Sequence, residues 1–101
     1  MAVTPQVGPN TTITTGGTAV TAIPAAPNGG YITNPVAAAD QGIGTAEVLY
    51  VDPTGAAPSL TANGSVIALQ PGQTWNVIPD QTTVTKVNAT TSSHAFTAVY
   101  W

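Results

Sequence analysis

The residues able to do chemistry are few. There is one histidine, His94, with four carboxylates, Asp40, Glu47, Asp52 and Asp80, one cation, Lys86, and no cysteine. A catalytic histidine needs a nucleophile or carboxylate aligned with it, and a metal site usually needs several ligands. No carboxylate is close to His94 in sequence, so it reads as a histidine at the start of a strand with no chemical role. Asp40, Asp52 and Asp80 each sit beside Gln or Pro in an expected loop. Three acidic loops could meet around calcium, but their spacing matches no calcium-loop motif, and turn formation is the plainer reading. Glu47 and Lys86 fall in expected strands and could pair across a sheet, where an exposed pair contributes under about 1 kcal/mol. Without cysteine there is no thiolate metal site and no disulfide framework. No catalytic residue, metal or cofactor is assigned, and an enzyme is not expected. Asn10, Asn63 and Asn88 match the glycosylation pattern, as chance alone would produce in a chain so rich in Asn, Thr and Ser.

The candidate contact residues are aromatic: Tyr31, Trp75, Tyr100 and Trp101. Such rings stack on sugars and anchor protein interfaces. Core packing is the simplest reading of Trp75. Trp101 is expected to pack on its own subunit or to insert into a neighbour.

Positioning these residues falls to a chain with little charge. Charged residues make up 5% of it, against about 25% in a typical domain. Molecules that diffuse singly usually carry charge that keeps them apart. This surface is therefore expected to lie largely against other subunits, the alternative being a secreted module carpeted with Thr and Asn. One cation cannot neutralise a phosphate backbone, so nucleic acid is not a partner. No apolar run approaches the roughly 20 residues that cross a bilayer, so no membrane partner is expected. No signal peptide is visible, and synthesis in a cytoplasm without processing is expected.

The segments read as strands. Over residues 65–101, four runs rich in Val, Ile, Thr and aromatics alternate with turn residues, as in consecutive antiparallel strands. In residues 94–101 the alternation puts His94, Phe96, Ala98 and Tyr100 on one side and Ala95, Thr97, Val99 and Trp101 on the other. Trp75 and Val77 share a face, and Lys86 points away from Thr85 and Val87. Residues 46–51 form a strand partly buried on both faces, and residues 31–36 a short one ended by Asn34-Pro35. Turns are expected at Asp52-Pro53-Thr54-Gly55, Asn63-Gly64 and Pro71-Gly72, the last of type II. Gly16-Gly17, inside a β-branched stretch, suits a hairpin turn or a bulge. Residues 37–44 read as a loop with at most one helical turn. Residues 1–10 hold Pro5, Gly8 and Pro9 and suit either a frayed terminus or an arm ordered against a neighbour. The expectation is an all-β protein of seven or eight strands, a small β-sandwich of jelly-roll or Greek-key type. Residues 1–30 would form an extended N-terminal arm with a short strand, and residues 31–101 the sandwich body.

The runs L-Q-P-G-Q-T-W-N-V-I-P at residues 69–79 and V-N-A-T-T-S-S-H-A-F-T-A-V-Y-W at residues 87–101, with Y-I-T-N-P at 31–35 and A-E-V-L-Y-V-D-P-T-G at 46–55, resemble the small capsid cement or decoration proteins of tailed bacteriophages. The resemblance spans roughly residues 31–101 and rests on turns and strand patterns. It implies a β-sandwich or jelly-roll body that binds outside an assembled shell as a dimer or trimer, with the major capsid protein as partner and the virion as location. The competing expectation is a carbohydrate-binding module of a phage fibre or surface protein, using Trp75, Tyr31 or Tyr100 as stacking platforms.

Overall fold

Alternate burial along one strand organises the molecule. His94, Phe96 and Ala98 are buried while Ala95 and Thr97 are exposed, and the strand runs against the N-terminal segment along its whole length. The computed structural model describes residues 3–25, 27–36 and 47–101. The loop expected at 37–44, with Asp40, lies outside the described residues.

The strands are β1 (Gln6–Val7), β2 (Thr12–Ile13), β3 (Val20–Ile23), β4 (Gly30–Thr33), β5 (Leu49–Asp52), β6 (Ile67–Leu69), β7 (Thr74–Asn76), β8 (Thr85–Asn88), β9 (His94–Ala95) and β10 (Thr97–Tyr100). One antiparallel sheet has the order β1-β10-β4-β7, the other β3-β8-β5-β6, and β2 pairs with β9. The β2–β9 ladder continues the β1–β10 ladder. Val7 faces Val99 and Thr12 faces Ala95, so the N-terminal side carries one extra residue, a bulge at Pro9-Asn10. Backbone bonds from Gly8 N to Ala98 O (2.8 Å) and from Phe96 N to Thr11 O (2.9 Å) bridge the gap. With β1–β2 counted as one bent strand and β9–β10 as another, eight strands lie in the orders 1-8-3-6 and 2-7-4-5. The fold is an all-β sandwich with the strand order of a jelly roll.

Two expectations change. The described part of the expected arm is woven into the body: β1 and β2 line the C-terminal strand, and β3 pairs with β8 in the opposite sheet. Pro5 and Pro9 flank β1 without preventing this, because an edge strand needs donors on one side only. Gly16-Gly17 is neither hairpin nor bulge. A turn closed by Thr18 N to Thr15 O (3.0 Å) carries the chain from β2 to β3, which pair with different partners.

The other turns form where their residues require them. Gly72 has φ +89°, and Gln73 N bonds Gln70 O at 3.0 Å, so Pro71-Gly72 makes the type II turn. Asp52 Oδ1 accepts from Thr54 N at 2.9 Å, and Val66 N bonds Asn63 O at 3.0 Å. Between the sheets, Ile13, Ile23, Ile32, Leu49, Val51, Val87 and Phe96 form the core, with Trp75 and Tyr100 packed against it. Each fully buried aliphatic side chain contributes about 1.5–3 kcal/mol.

Candidate functional site

Three polar residues sit on inward positions of their strands. Asn34 follows Ile32 two residues on, Glu47 precedes Leu49 and Val51, and His94 precedes Phe96 and Ala98. They meet at one end of the sandwich. His94 Nδ1 lies 3.1 Å from Glu47 Oε1, and His94 Nε2 lies 2.8 Å from Asn34 Oδ1. Asn34 Nδ2 donates to the carbonyls of Glu47 and Leu69, both at 2.8 Å. Those two carbonyls fix the amide orientation, so its oxygen must face the imidazole. Both ring nitrogens therefore face acceptor oxygens. Asn34 and Leu69 belong to opposite sheets, so the group staples the sandwich together.

Burial raises the Glu47 carboxyl, but the Thr91 N–H, His94, the Thr91 hydroxyl and the histidine's charge outweigh it and hold the group below its ordinary value. Thr91 N and Oγ1 each donate to this carboxylate at 2.9 Å. The imidazole of a hydrolase needs one nitrogen free to take a nucleophile's proton. Here Nε2 is capped by an amide oxygen and His94 is 1% exposed, so the geometry is that of a structural brace. His94 thus has a carboxylate partner that sequence distance concealed. Glu47 pairs with it rather than with Lys86, whose neighbour across the β5–β8 ladder is Asp52.

A second polar cluster covers the outer side of the β3-β8-β5-β6 sheet. Asp52 Oδ1 accepts from Thr54 N and Oγ1 (2.9 and 2.6 Å), and Oδ2 from Ser65 Oγ (2.9 Å). Burial raises this carboxyl too, but the Thr54 hydroxyl, the Thr54 N–H and the Ser65 hydroxyl bring it below its ordinary value. Asn88 Nδ2 donates to Gly17 O (3.2 Å) and Pro58 O (3.1 Å), pinning the 53–65 loop over the sheet. Among the described residues no three His, Cys, Asp or Glu come together as a metal site would require. Asp80 lies elsewhere, bonded through its N–H to Pro27 O at 2.7 Å.

The four candidate aromatics divide. Trp75 and Tyr100 turn inward against the core, and the Tyr100 hydroxyl reaches Gln6 Oε1 at 3.2 Å. Tyr31 and Trp101 sit on the outer side of the β1-β10-β4-β7 sheet as an edge-to-face pair, centroids 6.5 Å apart. Trp101 closes on its own chain: Asn28 N donates to its carbonyl at 2.6 Å, and its N–H bonds Gly29 O at 3.1 Å. Its ring lies so close over Gly29 that a Cβ there would come within 2.8 Å of Nε1, which only glycine permits.

Among the described residues no helix is long and apolar enough to cross a membrane. No protein family, curated protein or solved structure matches this chain.

Proposed function

We propose that this chain is a structural virion protein that binds the outside of an assembled phage capsid and stabilises it by bridging adjacent capsid subunits. The observation that carries the reading is how little of its small charge reaches solvent. Asp52 is buried, Glu47 is tied to His94 and Thr91, Lys86 is half-buried, and among the described charged residues Asp80 alone is exposed. Val3, Val7, Val36, Leu60 and Ile78 are exposed in their place. Such a surface suits permanent contact with protein. The jelly-roll strand order adds only fold-level analogy, since viral shell and lectin domains both use it. The action would be mass action: binding the assembled lattice alone stabilises it by the binding free energy, summed over many copies.

The test is co-sedimentation with expanded tailed-phage shells lacking decoration protein, alongside tryptophan fluorescence with a panel of polysaccharides. Saturable binding to expanded shells is the expected result. Quenching by glycans without shell binding would establish the carbohydrate-binding alternative. That reading has less support, because two of its three stacking platforms, Trp75 and Tyr100, face the core, and of the three Tyr31 alone is outward.

A further inference from the structure

Among the described residues, the outer side of the β1-β10-β4-β7 sheet carries no charged side chain. Strand register places its side chains in rows. Val7, Val99, Tyr31 and Asn76 form one row; Thr97, Thr33 and Thr74 form the next. Trp101 and Ile78 lie beyond the first row, flanking Gly29, and Asp80 stands past them at the rim. Val7 is 68% and Ile78 55% exposed. Among the described residues, no loop is pinned over these rows by hydrogen bonds of the kind that hold residues 53–65 on the other sheet.

We propose that this sheet face is where two copies of the chain meet, back to back about a twofold axis. Three observations select a second copy. Close to a twofold axis a residue meets its own copy, so a fixed charge there would repel; among the described residues the rows carry none. The polar groups in the rows are mostly threonine hydroxyls, which both donate and accept, as Thr33 and Thr74 do with each other at 2.7 Å. Threonine hydroxyls on two identical faces can thus pair donor to acceptor. The molecule measures 39 × 31 × 20 Å. Its broad side offers room for the ~800 Å² per partner that a stable dimer needs. Edge-to-edge pairing through β1 is blunted by Pro5 and Pro9, and the contact proposed is face-to-face stacking of the kind seen between aligned sheets. The proposal is independent of shell binding.

The test is sedimentation equilibrium of the full chain and of charged variants. The parent should dimerise with concentration. Val7→Lys and Ile78→Lys should each weaken the dimer by roughly tenfold or more, because burying an unpaired charge in the contact is costly. Ala57→Lys, on the loop over the opposite sheet, should leave it unchanged. Because the chain has no cysteine, Thr97→Cys gives a second readout: a bis-maleimide should join two copies through residue 97 and fail to do so through Ala57→Cys. Circular dichroism checks that each variant is folded. A parent that stays monomeric at millimolar concentration, or a dimer equally indifferent to charge on either face, would overturn the proposal. A parent that dimerises yet ignores shells would reject the capsid reading and leave this one standing.

Discussion

The outer faces of the two sheets are built on opposite plans. Behind β3-β8-β5-β6, charge and amide groups are present and the chain covers them itself: residues 53–65 fold back, Ser65 and Thr54 satisfy Asp52, and Asn88 holds Pro58. Behind β1-β10-β4-β7, the face is apolar and hydroxyl-bearing. A face closed by buried hydrogen bonds is paid for within the monomer's own stability, whereas a face left open contributes only when something binds to it. Substitutions on the two should therefore read out in different experiments, folding for one and association for the other.

The largest effect should come where the sheets are joined. His94→Ala opens a buried cavity, leaves Asn34 Oδ1 without its partner and takes one of two from Glu47 Oε1. A buried amide oxygen left unpaired, added to lost packing, predicts about 3 kcal/mol of destabilisation in urea unfolding. His94→Phe should be no cure, since it restores volume but not the donors. If either variant unfolds at the parent's midpoint, the brace carries no load and the sheets hold by apolar packing alone.

Next is the covered face. Asn88→Ala removes the bonds to Gly17 O and Pro58 O and the bond its Oδ1 accepts from Ala89 N. About 2 kcal/mol should be lost, with the 53–65 backbone exchanging its amide hydrogens faster. Faster exchange confined to that loop would confirm that the cover is held locally; uniform change would mean that Asn88 supports the whole sandwich.

Acid should expose the same asymmetry. Glu47 and Asp52 both have folded-state values below their ordinary ones. Their stabilisation is thus fully present above the unfolded carboxylate range and is lost as pH falls through the lower folded values. Melting temperature should be flat near neutrality and drop on acidification. In Asp52→Asn the drop should shrink while the bare face is untouched, and in the double variant with Glu47→Gln most of it should vanish. A slope unchanged in the double variant would place the acid sensitivity elsewhere.

Much of this was legible from alternation. The inward set His94, Phe96, Ala98 and Tyr100, the opposed directions of Lys86 and Val87, and the turns at Asp52, Asn63 and Pro71 follow from period-two patterning and turn chemistry, which are local. What escaped is what long-range pairing decides. Residues 5–10 look like an arm because two prolines and a glycine obscure any pattern, yet Gln6 and Val7 are held by a strand more than ninety residues away. The brace was hidden likewise: Asn34 reads as the residue that ends a strand before Pro35, and Glu47 and His94 are far apart in the chain. One signal did exist. All three occupy the inward phase of their strands, where a polar side chain must find a partner, and three such residues in one small core imply one another.

The smallest effect belongs to the bare face, and its smallness is informative. Thr33 and Thr74 exchange one hydrogen bond at 2.7 Å in a solvent-facing position. Water replaces such a bond readily, so Thr33→Val should change folding stability by less than about 0.5 kcal/mol, with β-propensity offsetting the lost hydroxyl. The same substitution removes a donor and acceptor from the centre of the uncharged face, so self-association should respond more than unfolding does. Measured side by side, a shift in the dimer constant with an unmoved melting curve would separate the two faces by function. A fall in melting temperature with association unchanged would mean that this threonine pair serves the sheet itself, and that the two outer faces differ less than their chemistry suggests.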